Sequence, residues 1–156
     1  MGMTLGDNLR VTLFGESHGA CVGALVEGIP AGTPIDEDEL NRAIISRRPG
    51  RKGMSTRSEQ DECELLSGVY EGKATGWPIL MLTHNSDAKP SDYSFLPDQP
   101  RPGHADMVES IRSKGSNDPR GGGSHSARLT YGLVTAGSQV KSLSVSYTHL
   151  RAHETL

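Results

Sequence analysis

Cysteines and long apolar runs are both scarce in this 156-residue chain. The two cysteines, Cys21 and Cys63, predict free thiols in a reducing compartment rather than a disulfide framework. No apolar run reaches the roughly 18 residues of a membrane span, so no transmembrane helix is predicted. The first residues lack the apolar segment of a secretory signal. A soluble cytoplasmic protein is therefore the expectation.

Aromatic residues supply only 4% of the chain and apolar residues 34%, which is little for a self-sufficient core. Glycine is plentiful, with 19 residues, so turns and loops should be extensive. The formal net charge of −3 argues against a general polyanion binder, because such proteins are usually basic overall. The length suits one domain, and neither nucleic acid nor a membrane is an expected partner.

The apolar pattern predicts a β-hairpin followed by a helix. Residues 10–14 and 22–28 are rich in β-branched and apolar side chains and flank a short turn. Asp36 is placed to cap a helix that ends before Pro49, with Glu39 as the return partner of a capping box. The further predictions are a strand pair at residues 64–70 and 78–83, a loop at 85–103, and helices at 105–114 and 126–137.

Two short strings each place a histidine in a glycine-flanked turn. They are Gly15-Glu16-Ser17-His18-Gly19 and Arg101-Pro102-Gly103-His104-Ala105-Asp106. Glycine lets the backbone approach a ligand closely, and histidine titrates near neutrality. The two turns therefore predict a site with two proton-handling groups. Three other histidines, His84, His149 and His153, are interpreted as surface or structural residues.

Other uses of the two histidines have weaker support. A metal site would favour paired cysteines or two histidines four residues apart on a helix; the cysteines are not paired, and neither His18 nor His104 has a histidine four residues away. A serine hydrolase normally brings its general base from elsewhere in the fold, whereas Ser17 and His18 are adjacent. No metal is therefore expected.

Five basic residues lie close together in this acidic chain, namely Arg47, Arg48, Arg51, Lys52 and Arg57. Arginine binds phosphate and carboxylate through paired hydrogen bonds, so the cluster indicates a specific anion. A solvated basic loop is also compatible, and so is a nucleic-acid patch, although aromatic residues for base stacking are missing. A small anion- or phosphate-binding module that uses the Arg47–Arg57 loop is the alternative function.

Residues 120–128 read Arg-Gly-Gly-Gly-Ser-His-Ser-Ala-Arg and lead into the last predicted helix. Glycine amides and a helix N-terminus can bind an anion, and Ser124 and Ser126 can cap the helix or contact a phosphate. The run lacks the Lys-Ser/Thr ending of a Walker loop and does not fit the dinucleotide fingerprint. A flexible linker with a helix cap remains an open interpretation.

In combination and order these segments resemble the chorismate synthase family. The resemblance runs from about Gly6 to about Gly137, and it is carried by residues 15–30, 47–50, 66–69, 85–87, 92–93, 101–106 and 120–128. It implies an α+β fold that is the N-terminal part of the family's β-α-β sandwich, and incomplete. The chain departs from many members at Ser46, at Ser124-His125-Ser126 and at Ser138-Gln139.

The resemblance implies a carbon–oxygen lyase that acts on a phosphate. The family converts 5-enolpyruvylshikimate 3-phosphate to chorismate by an anti-1,4-elimination of phosphate, the last common step of aromatic amino acid biosynthesis in the shikimate pathway. The reaction needs reduced FMN but has no net redox change, and NADPH reduces the flavin in some members. A cytoplasmic homotetramer is implied for the full-length protein.

The same resemblance implies catalytic roles for His18, His104 and Ser17. His18 would protonate the leaving phosphate or its surroundings, and His104 would stabilise the charge state of the reduced flavin. Ser17 and Ser126 would orient substrate and flavin. The implied substrate- and phosphate-binding residues are Arg47, Arg48 and Arg128, and the implied cofactor-binding residues are Ser124, His125, Ser126 and Arg47.

Residues 145–155 read like the in-frame translation of a transposase-type sequencing adaptor. Residues 1–143 are therefore expected to be the N-terminal portion of a single domain, and residues 144–156 a non-native tail; a divergent native tail is the alternative. The family's C-terminal half supplies further flavin contacts, a substrate arginine and an aspartate implicated in proton removal. The chain alone is therefore expected to be inactive.

Overall fold

An antiparallel sheet with helices packed on one face forms the body of the protein. The computed structural model describes residues 3–48 and 60–153, and its side chains up to residue 144. The strands are β1 (Thr4–Leu5), β2 (Arg10–Gly15), β3 (Cys21–Glu27), β4 (Glu64–Ser67), β5 (Val69–Tyr70), β6 (Lys73–Ala74) and β7 (Ile79–His84). The helices are α1 (Glu37–Arg47), α2 (Asp106–Arg112) and α3 (Thr130–His153). Five strands form one sheet in the order β1-β2-β3-β7-β4, and β5 and β6 form a separate ribbon.

The predicted β2–β3 hairpin is confirmed, with Leu13 opposite Ala24. Alternate residues of a strand point to the same face of its sheet. On the helix-covered face Val22, Ala24 and Val26 are completely buried and belong to the hydrophobic core. The hairpin turn, residues 16–20, therefore leaves the sheet at a fixed edge, beside the end of β7.

The predicted strand at residues 64–70 is interrupted in the structure. Gly68 has a φ of +78°, which ends the extended conformation after β4. β4 pairs with β7 as expected, but β5 pairs with β6 instead. The connection between the two predicted strands, where the sequence indicates a turn at residues 72–77, therefore contains a second small hairpin formed by β5 and β6.

Helix α1 begins and ends where the sequence indicates. The Asp36 carboxylate accepts a hydrogen bond from the backbone N–H of Glu39 at 2.8 Å, as an N-cap should. The Glu39 carboxylate in turn binds Arg42 and, on α3, Lys141. Leu40 and Ile44 are buried toward α3 and the sheet. The cap and the apolar stripe together fix α1 against the core.

Helix α3 is longer than the sequence predicts. Two 3-10 turns, Arg120–His125 and Ala127–Leu129, precede it, and it continues past the predicted end at Gly137 to His153. Ser138 is buried there, and its hydroxyl donates to the backbone carbonyl of Thr135 at 2.8 Å. Such back-bonding lets a polar residue stay inside a helix. The domain boundary expected after residue 143 stays a prediction.

The loop at residues 85–103 and the helix after it follow the sequence interpretation. The loop holds a 3-10 turn, Pro90–Tyr93, and α2 begins at Asp106. None of the helices that the structure describes has both the length and the apolar character needed to cross a lipid bilayer.

Candidate active site

The turn that carries His18 is fixed by hydrogen bonds from two distant segments. The side-chain amide of Asn85, just after β7, donates to the carbonyls of Glu16 and Gly19 at 3.0 and 2.8 Å. The backbone N–H of Ser17 donates to the carbonyl of Gly123 at 3.1 Å. Ser17 and His18 are buried, with 3% and 8% of their surface exposed. The turn therefore lies directly on the glycine run.

His104 is oriented by a carboxylate that a neighbouring arginine keeps ionised. The Nδ1 of His104 lies 2.6 Å from Oδ1 of Asp106. Arg101 donates to both carboxylate oxygens of Asp106 at 2.8 Å, and its backbone N–H donates at 3.1 Å. These hydrogen bonds from Arg101 lower the pKa of Asp106 to about 2. A permanent negative charge therefore faces one ring nitrogen of His104.

Tyr93 connects the two histidines. Its ring meets His18 edge-on, with 4.8 Å between the ring centroids. The guanidinium carbon of Arg101 lies 5.5 Å from the same ring centroid, in cation–π range. Arg101 in turn contacts His104. Neither Tyr93 nor Arg101 was among the predicted site residues, although both lie in segments that carry the family resemblance.

The glycine run lies beside both imidazole rings. The space that a Cβ would fill at Gly121 is occupied by the His18 ring, and at Gly122 by the His104 ring. The backbone N–H of Gly122 donates to the Pro119 carbonyl at 3.3 Å. The predicted use of glycine amides for an anion stays a prediction, and the observed use of the run is to accommodate the two rings.

A buried carboxylate joins two of the predicted anion-binding arginines. The side chain of Asp61 is completely buried; one of its oxygens accepts from Arg47 at 3.0 Å and the other accepts from Arg128. Arg128 also donates to the Asn85 side chain at 3.0 Å, which links this cluster to the His18 turn. Two cations share one anion here, so this cluster carries a surplus positive charge that favours an anionic ligand.

Arg47 serves the protein itself in this structure. Its Nε donates to the Thr130 hydroxyl at 3.2 Å, and its Nη2 donates to the carbonyls of Ala127 and Arg128 at 3.3 and 3.2 Å. Burial is the main cause that lowers the pKa of this guanidinium. Arg47 thereby joins α1 to the start of α3, and its ligand-binding role stays a prediction.

The remaining predicted cations differ in position. Arg48 is exposed and donates to the carbonyl of Gln60. Arg120, which was not predicted as a site residue, binds Asp118 through two hydrogen bonds of 2.8 and 2.7 Å. The other members of the basic cluster, which are Arg51, Lys52 and Arg57, lie outside the described residues.

The Ser-His-Ser segment binds mainly to the protein. The Nε2 of His125 lies 2.9 Å from the Glu109 carboxylate on α2. Arg112 first and His125 second lower the pKa of Glu109. The Ser126 hydroxyl accepts from the backbone N–H of Arg128 at 3.3 Å, which makes it the predicted cap of a helical turn. Ser124 is half-exposed on the preceding 3-10 turn, Arg120–His125. The cofactor-binding roles of these residues stay predictions.

No metal-like cluster is found in the described part of the chain: no three residues of the His, Cys, Asp and Glu types lie close enough to share an ion. What the site offers instead is two imidazoles, several guanidinium groups and two serine hydroxyls. Such a set suits proton transfer beside an anion. The fold is of the α+β class, and the side chains that it brings together are of the kinds that enzymes acting on anions use.

The comparisons with known proteins identify the family. The chorismate synthase family model matches residues 9–151. The chorismate synthases of Methanocaldococcus jannaschii and Aeropyrum pernix are 48% and 49% identical over 147 and 144 residues, which cover 94% and 92% of this chain. A crystal structure of chorismate synthase superposes with a TM-score of 0.64 and 30% identity over 91% of this chain. The chain therefore belongs to the chorismate synthase family, and the α+β class is confirmed.

The chain spans about two fifths of its relatives. It covers 38% of the length of each of the two relatives just named and 36% of the crystallised protein. The chorismate synthase of Methanococcoides burtonii, 46% identical over 156 residues, is covered to 42%. The matched region, residues 9–151, contains every site residue described above.

Proposed function

We propose that these residues form the N-terminal share of a chorismate synthase active site. The proposed reaction is the 1,4-elimination of phosphate from 5-enolpyruvylshikimate 3-phosphate. A ring carbon–oxygen bond breaks and phosphate leaves with the bonding electron pair. Another ring carbon loses a proton from the opposite face of the ring, and the electrons of that C–H bond complete the new double-bond system of chorismate. The observation that carries the proposal is the meeting of His18 and His104, from separate turns, on one glycine run beside Arg101, with the buried Arg128 linked to the His18 turn through Asn85.

His18 is the proposed proton donor to the leaving phosphate. Its ring is buried between Gly121 and Tyr93, so it is held in one place and shielded from water. A general acid needs such fixed placement within hydrogen-bond reach of the group it protonates. The Ser17 hydroxyl, also buried, is the proposed group that orients the substrate beside it.

His104 is the proposed partner of the flavin. The Asp106 carboxylate fixes Nδ1 of His104 as a hydrogen-bond donor, so the ring is held in one orientation. Arg101 supplies a fixed positive charge in contact with the same imidazole. Charges that are already oriented stabilise a developing anion without further reorganisation.

The donor set of this site fits reduced FMN. An FMN molecule carries a phosphate ester and an anionic reduced ring, and the site offers guanidinium, imidazole and hydroxyl groups for both. Ser124, Ser126 and His125 would hold it, with His125 contributing through Nδ1 or its ring face because its Nε2 contacts Glu109. Reduced FMN, when bound, supplies electron density that assists phosphate departure and is not consumed.

The finer expectations for the parent protein belong to the same proposal. They are a homotetrameric assembly, a cytoplasmic location, and NADPH as the flavin reductant if the parent reduces its own cofactor. The 156-residue chain by itself is proposed to be inactive, because the relatives extend well beyond the matched region. A site open on one side admits water, which raises the effective dielectric constant and weakens its electrostatic stabilisation.

The test is an anaerobic assay of the complete coding product from the source genome, with chemically reduced FMN and 5-enolpyruvylshikimate 3-phosphate. We expect chorismate and inorganic phosphate in equal amounts. Oxidised FMN is the control and should give neither product. A folded, flavin-binding full-length protein that forms no chorismate contradicts the proposal.

A further inference from the structure

We propose that Gly121 and Gly122 are positioning residues that fix the rings of His18 and His104 relative to each other. The inference rests on the proposed function only for its catalytic consequence. The structural observation behind it is that two adjacent glycines, which have no side chain, each leave room for one imidazole ring.

Gly121 receives the His18 ring. A Cβ at this position would lie 2.4 Å from both Cε1 and Nδ1 of His18 and 3.0 Å from the Ser17 hydroxyl oxygen. The ring cannot retreat easily, because Tyr93 packs against it and Ser17 is hydrogen-bonded to the carbonyl of Gly123. Any side chain at residue 121 therefore displaces His18.

Gly122 receives the His104 ring in the same way. A Cβ here would lie 2.5 Å from Cε1 and 2.9 Å from Nε2 of His104, and 3.4 Å from a terminal nitrogen of Arg101. These distances are below van der Waals contact for the ring atoms. His104 could move away only by leaving Asp106, whose carboxylate is 2.6 Å from Nδ1.

The two supports are consecutive along the chain. Cα atoms of neighbouring residues are about 3.8 Å apart across a trans peptide, so one rigid peptide unit connects the two contact points. The relative placement of the imidazoles is thereby tied to a single short stretch of backbone rather than to two independent loops. Proton-transfer groups need such fixed geometry, and a misplacement of about 1 Å can cost about 100-fold in rate.

Backbone conformation alone does not account for this arrangement. Gly121 and Gly122 have φ angles of +59° and +87°, which favour glycine. Gly115 has a comparable φ of +78°, but a Cβ there would meet nothing within 4 Å. Gly115→Ala is therefore a matched control that introduces similar backbone strain without touching a ring.

The test compares Gly121→Ala, Gly122→Ala and Gly115→Ala in the complete parent protein with ¹³C-labelled histidine rings. We expect a crossed pattern: Gly121→Ala shifts mainly the His18 ring resonances and Gly122→Ala mainly those of His104. Gly115→Ala shifts neither. If each glycine variant moves both rings alike, or neither ring, the inference is overturned.

Double variants keep the test informative if a single glycine variant does not fold. His104→Ala removes the ring that a Cβ at residue 122 would strike, so the thermal stability lost in Gly122→Ala should be partly restored. His18→Ala should not restore it. The stability lost in Gly121→Ala should be partly restored by His18→Ala and not by His104→Ala. Equal rescue by both histidine variants, or no rescue, overturns the inference.

Kinetics then separate the inference from the proposed function. In an active parent enzyme we expect kcat to fall about 100-fold for Gly121→Ala and Gly122→Ala, with KM changed much less, because placement rather than binding is disturbed. Gly115→Ala should keep wild-type kcat. A crossed resonance pattern in a protein that forms no chorismate would refute the proposed function and leave the positioning intact. Wild-type kcat in both glycine variants would refute the catalytic consequence.

Discussion

Replacement of Asp61 by asparagine should destabilise the protein more than any other single isosteric change in the site. Asp61 is completely buried and is shared by Arg47 and Arg128, whose side chains are 15% and 5% exposed. The variant keeps the shape of the side chain but removes the negative charge. Two buried guanidinium groups would then face each other with no counter-ion.

The magnitude follows from the cost of an uncompensated buried charge. Removal of one partner from a buried ion pair typically costs about 3–5 kcal/mol. Asp61→Asn leaves two cations unbalanced, so we expect a loss near the upper part of that range. Arg47→Met leaves Asp61 paired with Arg128 one to one but also removes the hydrogen bonds of Arg47 to Thr130 and to two backbone carbonyls, so it should cost less than Asp61→Asn without being neutral. This ranking is the specific prediction of the shared-carboxylate geometry.

Urea unfolding followed by far-UV circular dichroism measures the loss. Asp98→Asn is the control, since Asp98 is an exposed carboxylate in the loop at residues 85–103, and its free energy of unfolding should change by less than about 0.5 kcal/mol. If the wild-type chain is less stable than the expected loss, Asp61→Asn is unfolded without urea. An Asp61→Asn protein at least as stable as the Arg47→Met protein would refute the reasoning.

Three further predictions concern the cap, the acid range and the alkaline range. Asp36→Ala should cost about 1 kcal/mol in urea unfolding because it removes the N-cap of α1, whereas Asp38→Ala should cost less. The pKa of Asp106 is lowered to about 2, so its ion pair with Arg101 stabilises the fold above about pH 4. This contribution of about 2 kcal/mol is lost as the pH falls toward 2. Asp106→Asn should lack this part of the pH dependence. Burial raises the pKa of Tyr131, so its phenolate absorbance should be missing near pH 11 until the protein unfolds, as judged against Tyr131→Phe.

The features predicted correctly from the sequence depend on local rules. The β2–β3 hairpin follows from β-branched and apolar residues on both sides of a short glycine-containing turn. The start of α1 follows from the Asp36 carboxylate and the backbone N–H three residues later. Both signals lie within a few residues of the feature they specify, so no knowledge of the tertiary fold was needed.

The errors arose where tertiary contacts decide the outcome. The end of α3 was placed at Gly137 because Ser138 and Gln139 interrupt the apolar pattern. In the structure both are buried, and their polar groups bond to Thr135 and to each other. A residue pattern cannot show that such groups will find partners within the helix itself.

The sequence predicted the two histidines of the candidate site but not the structural role of the residues that hold the site in place, which are Asp61 and the glycine run. Each histidine lies in a recognisable string, whereas Asp61 lies in no motif and meets Arg128 across 67 positions of the sequence. The glycine run was interpreted as an anion-binding loop because glycines free backbone amides. The same lack of a Cβ also admits a ring, and the sequence does not show which neighbour arrives.

We propose that His18 and His104 act together in one lyase site. The most direct measurement is anaerobic chorismate formation by the complete parent protein, compared with its His18→Ala and His104→Ala variants at saturating reduced FMN. The account predicts that the wild type forms chorismate and that each variant, while still folded, is slower by at least about 100-fold, as loss of a general acid or base typically costs. Wild-type rates in either folded variant would contradict it.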